Sequence, residues 1–246
     1  CSHDCKYCYA KSLLSFRGLW NPKNPSVANV EKLKRKIDKL RKGTIVRLGG
    51  MTDCFQPIEL DNRITYKIIK YLNKRRIGYL IVTKSSIVAN DEYLKIYDKD
   101  LAHFQITVTT TDDSKSVKYE KATVPSKRIE AIEKLYKNGF DVQVRLSPFI
   151  YEYIDFDILN NIKCNKILIE FLRVNHWIKQ WFDIDYSKYT VKHAGYEHLP
   201  LSIKKQYLQK ITGFEQISVC EDVDEHFEYW KSNINHNKKD CCNLGG

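Results

Sequence analysis

Short continuous apolar runs alternate with helix-period stripes over most of this chain. Thr44–Gly50 (T-I-V-R-L-G-G) reads as a buried strand, and Ile64, Ile68, Ile69 and Leu72 then share one helix face, with Asp61 placed to cap its start. Gly78–Val82 is a second strand, followed by a short helix around Glu92–Tyr97, and Phe104–Thr109 is a third. A helix over about Ser126–Asn138 has Pro125 near its first turn and Gly139 just past its end. Val142–Leu146 and Ile167–Phe171 complete the run of strands. Repeated strand–helix units predict a parallel sheet with right-handed crossovers. Five strands are visible and one more is expected just upstream of Cys1, which predicts an α/β fold, a partial (β/α)6 TIM-like barrel over residues 1–175.

After about Asn175 the pattern changes. Trp177, Trp181, Tyr186, Tyr189 and Tyr196 make this stretch aromatic-rich, Ser202–Thr212 reads as a helix, and Ile217–Val219 as a short final strand. Residues 176–246 are read as an extension packed on the barrel.

The chain has 246 residues, 43% of them hydrophobic, enough for one sizeable core. No run approaches the roughly eighteen apolar residues of a membrane span, so no membrane partner is expected. The net charge is +11, which favours polyanionic partners such as nucleic acid. Part of it has a blander origin. Between Glu31 and Lys42, seven basic residues surround a stripe of Val30, Leu33, Ile37 and Leu40, the pattern of a helix with a wet outer face. Eight unevenly spaced cysteines suit a reducing compartment, and the protein is expected to be cytoplasmic.

Three of those cysteines stand together. Cys1, Cys5 and Cys8 form C-x3-C-x2-C in C-S-H-D-C-K-Y-C-Y-A, with Tyr7 just before the last. Iron–sulfur clusters are held by cysteine thiolates, and a four-iron cluster normally takes four. Three leave one iron open for a substrate or cofactor. A zinc site would usually pair two C-x2-C knuckles, and a disulfide framework would suit a much smaller secreted chain. Downstream, Gly49 and Gly50 stand at the end of the first predicted strand, where they either let backbone approach a ligand or make a tight turn.

The cysteine spacing with its aromatic resembles the signature of the radical SAM superfamily. Thr52-Asp53-Cys54-Phe55-Gln56-Pro57-Ile58-Glu59 looks like the T-D-x-[FY]-Q-P-x-E stretch of the spore photoproduct lyase-like branch, also described as DNA repair photolyase-like. Val82-Thr83-Lys84, Thr107–Thr110, Glu120, Arg128 in S-K-R-I-E-A, and Leu146-Ser147-Pro148-Phe149-Ile150 continue the same order. The resemblance covers about residues 1–175. It implies a 4Fe–4S cluster on Cys1, Cys5 and Cys8, and S-adenosylmethionine (SAM) cleaved reductively to a 5′-deoxyadenosyl radical, with flavodoxin or ferredoxin as electron donor. It also implies a SAM site of Tyr7, Gly49, Gly50, Met51, Thr52, Asp53, Lys84, Thr107, Thr109, Glu120, Arg128, Ser147, Pro148 and Phe149. Lys84 can meet the SAM carboxylate as a point charge, and Thr107 or Thr109 can donate to carboxylate or ribose. Arg128 either supplies a second cation or packs on its helix, and Glu120 either binds ribose or pairs with Arg128. The backbone of Ser147–Phe149 is expected at the adenine.

Two features depart from that branch. Its hydrogen-donating cysteine has no counterpart at the strand ending in Gly49-Gly50-Met51, although Cys54 follows in the same loop and Tyr9 matches the relay tyrosine. Cys54 and Tyr9 are therefore the hydrogen-donor candidates, with a buried, inert Cys54 as the alternative. Cys220 and the adjacent Cys241 and Cys242 lie beyond the resemblance and form a candidate auxiliary cluster site, with His236 as a further ligand; Cys164 sits in a separate loop. The expected function is a lyase-like or hydrogen-abstracting enzyme acting on a nucleic acid or nucleotide-derived substrate. A radical SAM enzyme of peptides or small metabolites and a non-catalytic zinc-stabilised module are the alternatives.

Overall fold

A computed structural model gives the fold and describes residues 1–238, 240–242 and 244. Its centre is one parallel sheet: β1 (Ile45–Leu48), β2 (Gly78–Thr83), β3 (Ala102–Val108), β4 (Asp141–Phe149), β5 (Lys166–Phe171) and β8 (Gln216–Val219), neighbours in that order. The sheet is open, with β1 and β8 as edges, so the barrel is partial and not closed. Every residue of β2 is buried, as a strand covered on both faces must be. Helix Pro125–Lys137 lies against β3 and β4, burying Arg128, Ala131, Ile132 and Leu135. Pro125 takes its first position, where a missing N–H costs nothing.

The sixth strand comes from beyond residue 175: Lys166↔Gln216 through Ile169↔Val219 zip β8 onto β5. The C-terminal segment thus contributes a strand to the sheet. It also carries a hairpin, β6 (Val191–His193) and β7 (Tyr196–His198), that periodicity did not reveal. Its two turn residues, Ala194 and Gly195, both have positive φ, the geometry of a tight two-residue turn. H-A-G-Y carries only half the usual signal because alanine rarely adopts that conformation.

One cap differs from expectation. Asp61 lies inside a single helical turn, Glu59–Asn62, and Arg63 at φ 56° separates it from helix Ile64–Arg75. The longer helix is capped by Glu59, whose carboxylate accepts from the Thr65 and Tyr66 N–H groups at 2.9 Å each. A glutamate reaching over six residues replaces the short side chain that usually caps from the adjacent position. The expected helix around Glu92–Tyr97 is one turn, Asp91–Leu94.

Candidate active site

The cysteine loop lies over the carboxyl ends of β1–β3, the edge on which α/β barrels carry their chemistry. Two backbone bonds strap it to the loop after β3: Lys6 N–H to the Tyr119 carbonyl at 2.8 Å and Lys121 N–H to the His3 carbonyl at 2.7 Å. A third tie runs from Ser2 N–H to Gln56 Oε1 at 2.6 Å, and Gln56 in turn donates to the Asp53 carbonyl. Tyr7 pins the loop from below, its ring edge-on to Tyr119 and Phe182 at 5.7 and 5.9 Å.

Cys1, Cys5 and Cys8 line one cleft together with Tyr9, Gly49–Asp53, Lys84 and Thr107. Among the described residues, their sulfurs are not gathered within the 4.8 Å expected of donors around a single ion. Burial, abetted by Glu120, pushes the Cys5 thiol up to about 12, with Lys84 opposing. A bound metal ion displaces that proton outright.

Gly49 and Gly50 do different work. Gly49 has φ 92°, and an added Cβ would stand 2.2 Å from the Val82 carbonyl oxygen, so its glycine is demanded by the neighbouring strand. At Gly50 an added Cβ would meet nothing within 4 Å; this is the open backbone facing the cleft. Tyr9 Oη donates to the Gly50 carbonyl at 2.9 Å and leaves its N–H side free of that contact. Asp53 is a strut: its carboxylate accepts from Thr83 Oγ1, Lys84 N–H and Phe55 N–H at 2.7–3.0 Å and lies 3.5 Å from His3 Nδ1. It fixes the strand-end segment to β2. The Lys84 ammonium stands 5.6 Å over the Tyr7 ring, inside the cleft wall.

Beneath the cleft Glu120 and Arg128 form a fully buried ion pair. Arg128 also donates to the Thr107 carbonyl at 3.1 Å and to that of Thr123, while Glu120 accepts from Tyr7 Oη and from Thr109 Oγ1 at 3.1 Å. Burial alone would push the Glu120 carboxyl up; Arg128, Lys84 and the Tyr7 hydroxyl outweigh it and hold it below its ordinary value. Of the two roles open to Glu120 in the sequence, pairing with Arg128 is the one observed. The Arg128 charge is spent on that pair.

The end of β4 carries Ser147, Pro148 and Phe149. Ser147 donates to Glu170 at 2.8 Å, and the Phe149 ring packs on Phe171 at 5.2 Å within the core. Cys54 is not among the residues lining the cysteine cleft. It lines an adjoining apolar cavity with Leu33, Ile64 and Ile68, and burial pushes its thiol well above the ordinary value. Thr52 and Asp53 line both cavities, and the turn that begins at Cys54 carries its side chain to the second. Tyr9, half exposed, does line the cleft. Cys164 is buried and donates to the Val142 carbonyl at 3.3 Å, a packing role. Cys241 and Cys242 gather with Asp240, and Cys220 lies beside Cys241, whereas His236 is exposed and outside that group. The supports His3, Gln56, Tyr119 and Phe182 were not singled out in the sequence. His3 lay within the cysteine motif itself, but Phe182 had no signal beyond its aromatic neighbourhood.

A family model for the radical SAM superfamily matches residues 1–160. The chain belongs to that superfamily. It is a radical SAM enzyme. A relative in Methanocaldococcus jannaschii, an uncharacterized protein, is 29% identical over 208 residues, covering 79% of this chain and 78% of its own. Among solved structures, a spore photoproduct lyase variant with bound SAM and dinucleoside spore photoproduct shares the fold at TM-score 0.61 and 17% identity, over 88% of this chain and 72% of its own. The Streptococcus suis protein SuiB bound to SAM gives TM-score 0.54 and 13% identity, over 92% of this chain and 49% of its own. Across this radical SAM fold no described helix is long and apolar enough to cross a membrane.

Proposed function

We propose that Cys1, Cys5 and Cys8 hold a 4Fe–4S cluster and that SAM binds the cleft beside it, for reaction on a nucleic acid or nucleotide-derived substrate. The observation that carries this reading is the lining of one cleft by three cysteines, the open Gly50 backbone and the Lys84 ammonium. When bound, the cluster would supply the electron that cleaves SAM to a 5′-deoxyadenosyl radical. The chain's own residues bind and orient. Lys84 meets the SAM carboxylate, the Gly50–Thr52 backbone receives its amino group, and Thr107 donates at the ribose end. The buried Glu120–Arg128 pair holds Tyr7 and the β3 loop in place beneath them. Tyr9, at the cleft edge on the Gly50 carbonyl, is placed to pass a hydrogen atom between cleft and substrate. A small reductant such as flavodoxin or ferredoxin delivers the electron.

The nucleic-acid assignment is supported by the net charge of +11 and by the likeness to spore photoproduct lyase. Anaerobically reconstituted protein should release 5′-deoxyadenosine from SAM with dithionite, at a rate that oligonucleotides carrying thymine photoproducts change. Release that no nucleic acid or nucleotide affects would overturn the substrate class. No release at all would overturn the SAM chemistry.

A further inference from the structure

The inner face of the sheet carries a second set of thiols. Cys220 follows β8, its N–H bonded to the Ile169 carbonyl of β5 at 2.8 Å, and the chain returns through Asp240, Cys241 and Cys242 to meet it. Donor atoms of Asp240, Cys241 and Cys242 all lie within 4.8 Å of one another, the one such trio among the described residues. The Cys220 thiol lies beside that of Cys241, just outside the trio. The return is fixed by backbone: Gln143 on β4 donates to the Cys242 carbonyl at 2.8 Å, and Asp240 accepts from Cys242 N–H at 2.9 Å.

We propose that Cys241, Cys242 and Asp240 bind a single zinc-class ion, with Cys220 closing in as the fourth ligand when the ion binds. Three thiolates and one carboxylate oxygen complete a tetrahedral set of the kind zinc takes. With zinc–sulfur bonds of about 2.3 Å, donors around one ion stand roughly 3.8 Å apart, which side-chain rotation can reach from a trio already within 4.8 Å. A cubane would spread its ligands over separate irons. The surroundings suit the charge. Arg145 lies close enough to act on Cys220 and Cys242, and Gln105 Nε2, buried with no hydrogen-bond partner, is near enough to turn toward the Cys242 thiolate, the outer-sphere support that metal thiolates need. Binding would release the three thiol protons to solvent. The ion would staple the C-terminal tail to the inner face of β4 and to the end of β8, with no redox step.

Zinc analysis of the purified full chain tests this, using the Cys1→Ala, Cys5→Ala, Cys8→Ala triple variant to keep iron out of the first site. About one zinc per folded chain is expected, falling to background in Cys241→Ser and in Cys220→Ser. Zinc unchanged by either substitution would overturn the proposal, as would iron and sulfide at this site in the triple variant. Should the serine variants fail to fold, cobalt(II) titration of the metal-free, folded triple variant decides. Thiolate-to-cobalt charge transfer with intense tetrahedral visible bands supports the site, and their absence overturns it.

Discussion

At Gly49 the backbone sits at φ 92°, and an alanine methyl would collide with the Val82 carbonyl oxygen. Gly49→Ala should therefore destabilise the fold by at least about 2 kcal/mol, since the conformation alone costs about 1–2 kcal/mol for a residue with a Cβ. Gly50→Ala, with open space around it, should leave the urea midpoint nearly unchanged and instead weaken SAM binding. Equal effects of the two substitutions on stability would contradict this division of labour. Lys84→Ala should cost roughly 1.5–3 kcal/mol of SAM affinity by calorimetry, the scale of a hydrogen bond to a charged group. Unchanged affinity would remove Lys84 from the site. These residues were legible because each carries a chemical type that a ligand needs at a strand end. Their supports were not. Phe182 reaches Tyr7 from the aromatic C-terminal stretch, and no local pattern indicates which of many aromatics does so.

Between elements, two buried ion pairs hold the sheet's reactive edge. Glu170 at the end of β5 joins Arg145 and Ser147 of β4 to Arg173, which continues to Asp222. Burial works against the ionised Glu170, but Arg145, the Ser147 hydroxyl and Arg173 outweigh it and hold its carboxyl below the ordinary value. A depressed folded-state value stabilises above the unfolded carboxylate pKa of about 4.3 and is lost as pH falls through the folded value. Glu170→Gln should thus destabilise the protein at neutral pH by about 3 kcal/mol and flatten the acid limb of its stability profile. An acid limb identical to wild type would refute the assignment. Arg128→Ala, which strands the buried Glu120, should cost about 3–5 kcal/mol in urea unfolding. The exposed Lys121–Asp4 pair should be worth under about 1 kcal/mol when Lys121 is removed. Strands were legible at this scale because β2 and β5 carry apolar runs, Y-L-I-V and I-L-I, while β3 and β4 alternate apolar with polar residues, F-Q-I-T-V and V-Q-V-R-L. The Glu59 cap was not, because its partners lie beyond an intervening left-handed residue.

For the molecule as a whole, the alternation of strand and helix made the open parallel sheet legible, and the cysteine spacing made its reactive edge legible. Pairing was less accessible. Ile217–Val219 reads as a strand in isolation, yet only the fold reveals that it extends the sheet beside β5 and brings Cys220 under the inner face. The Cys54 thiol shows the same limit: its sequence position beside the glycine pair suggested the cleft, and the local turn sends it to the neighbouring cavity. The central claim concerns Cys1, Cys5 and Cys8. Iron and sulfide should be measured after anaerobic reconstitution, together with the charge-transfer absorbance, in the native chain and in its triple-alanine variant. About four irons and four sulfides per chain, absent from the variant, are the predicted result; a variant that retains its full iron and absorbance would contradict it.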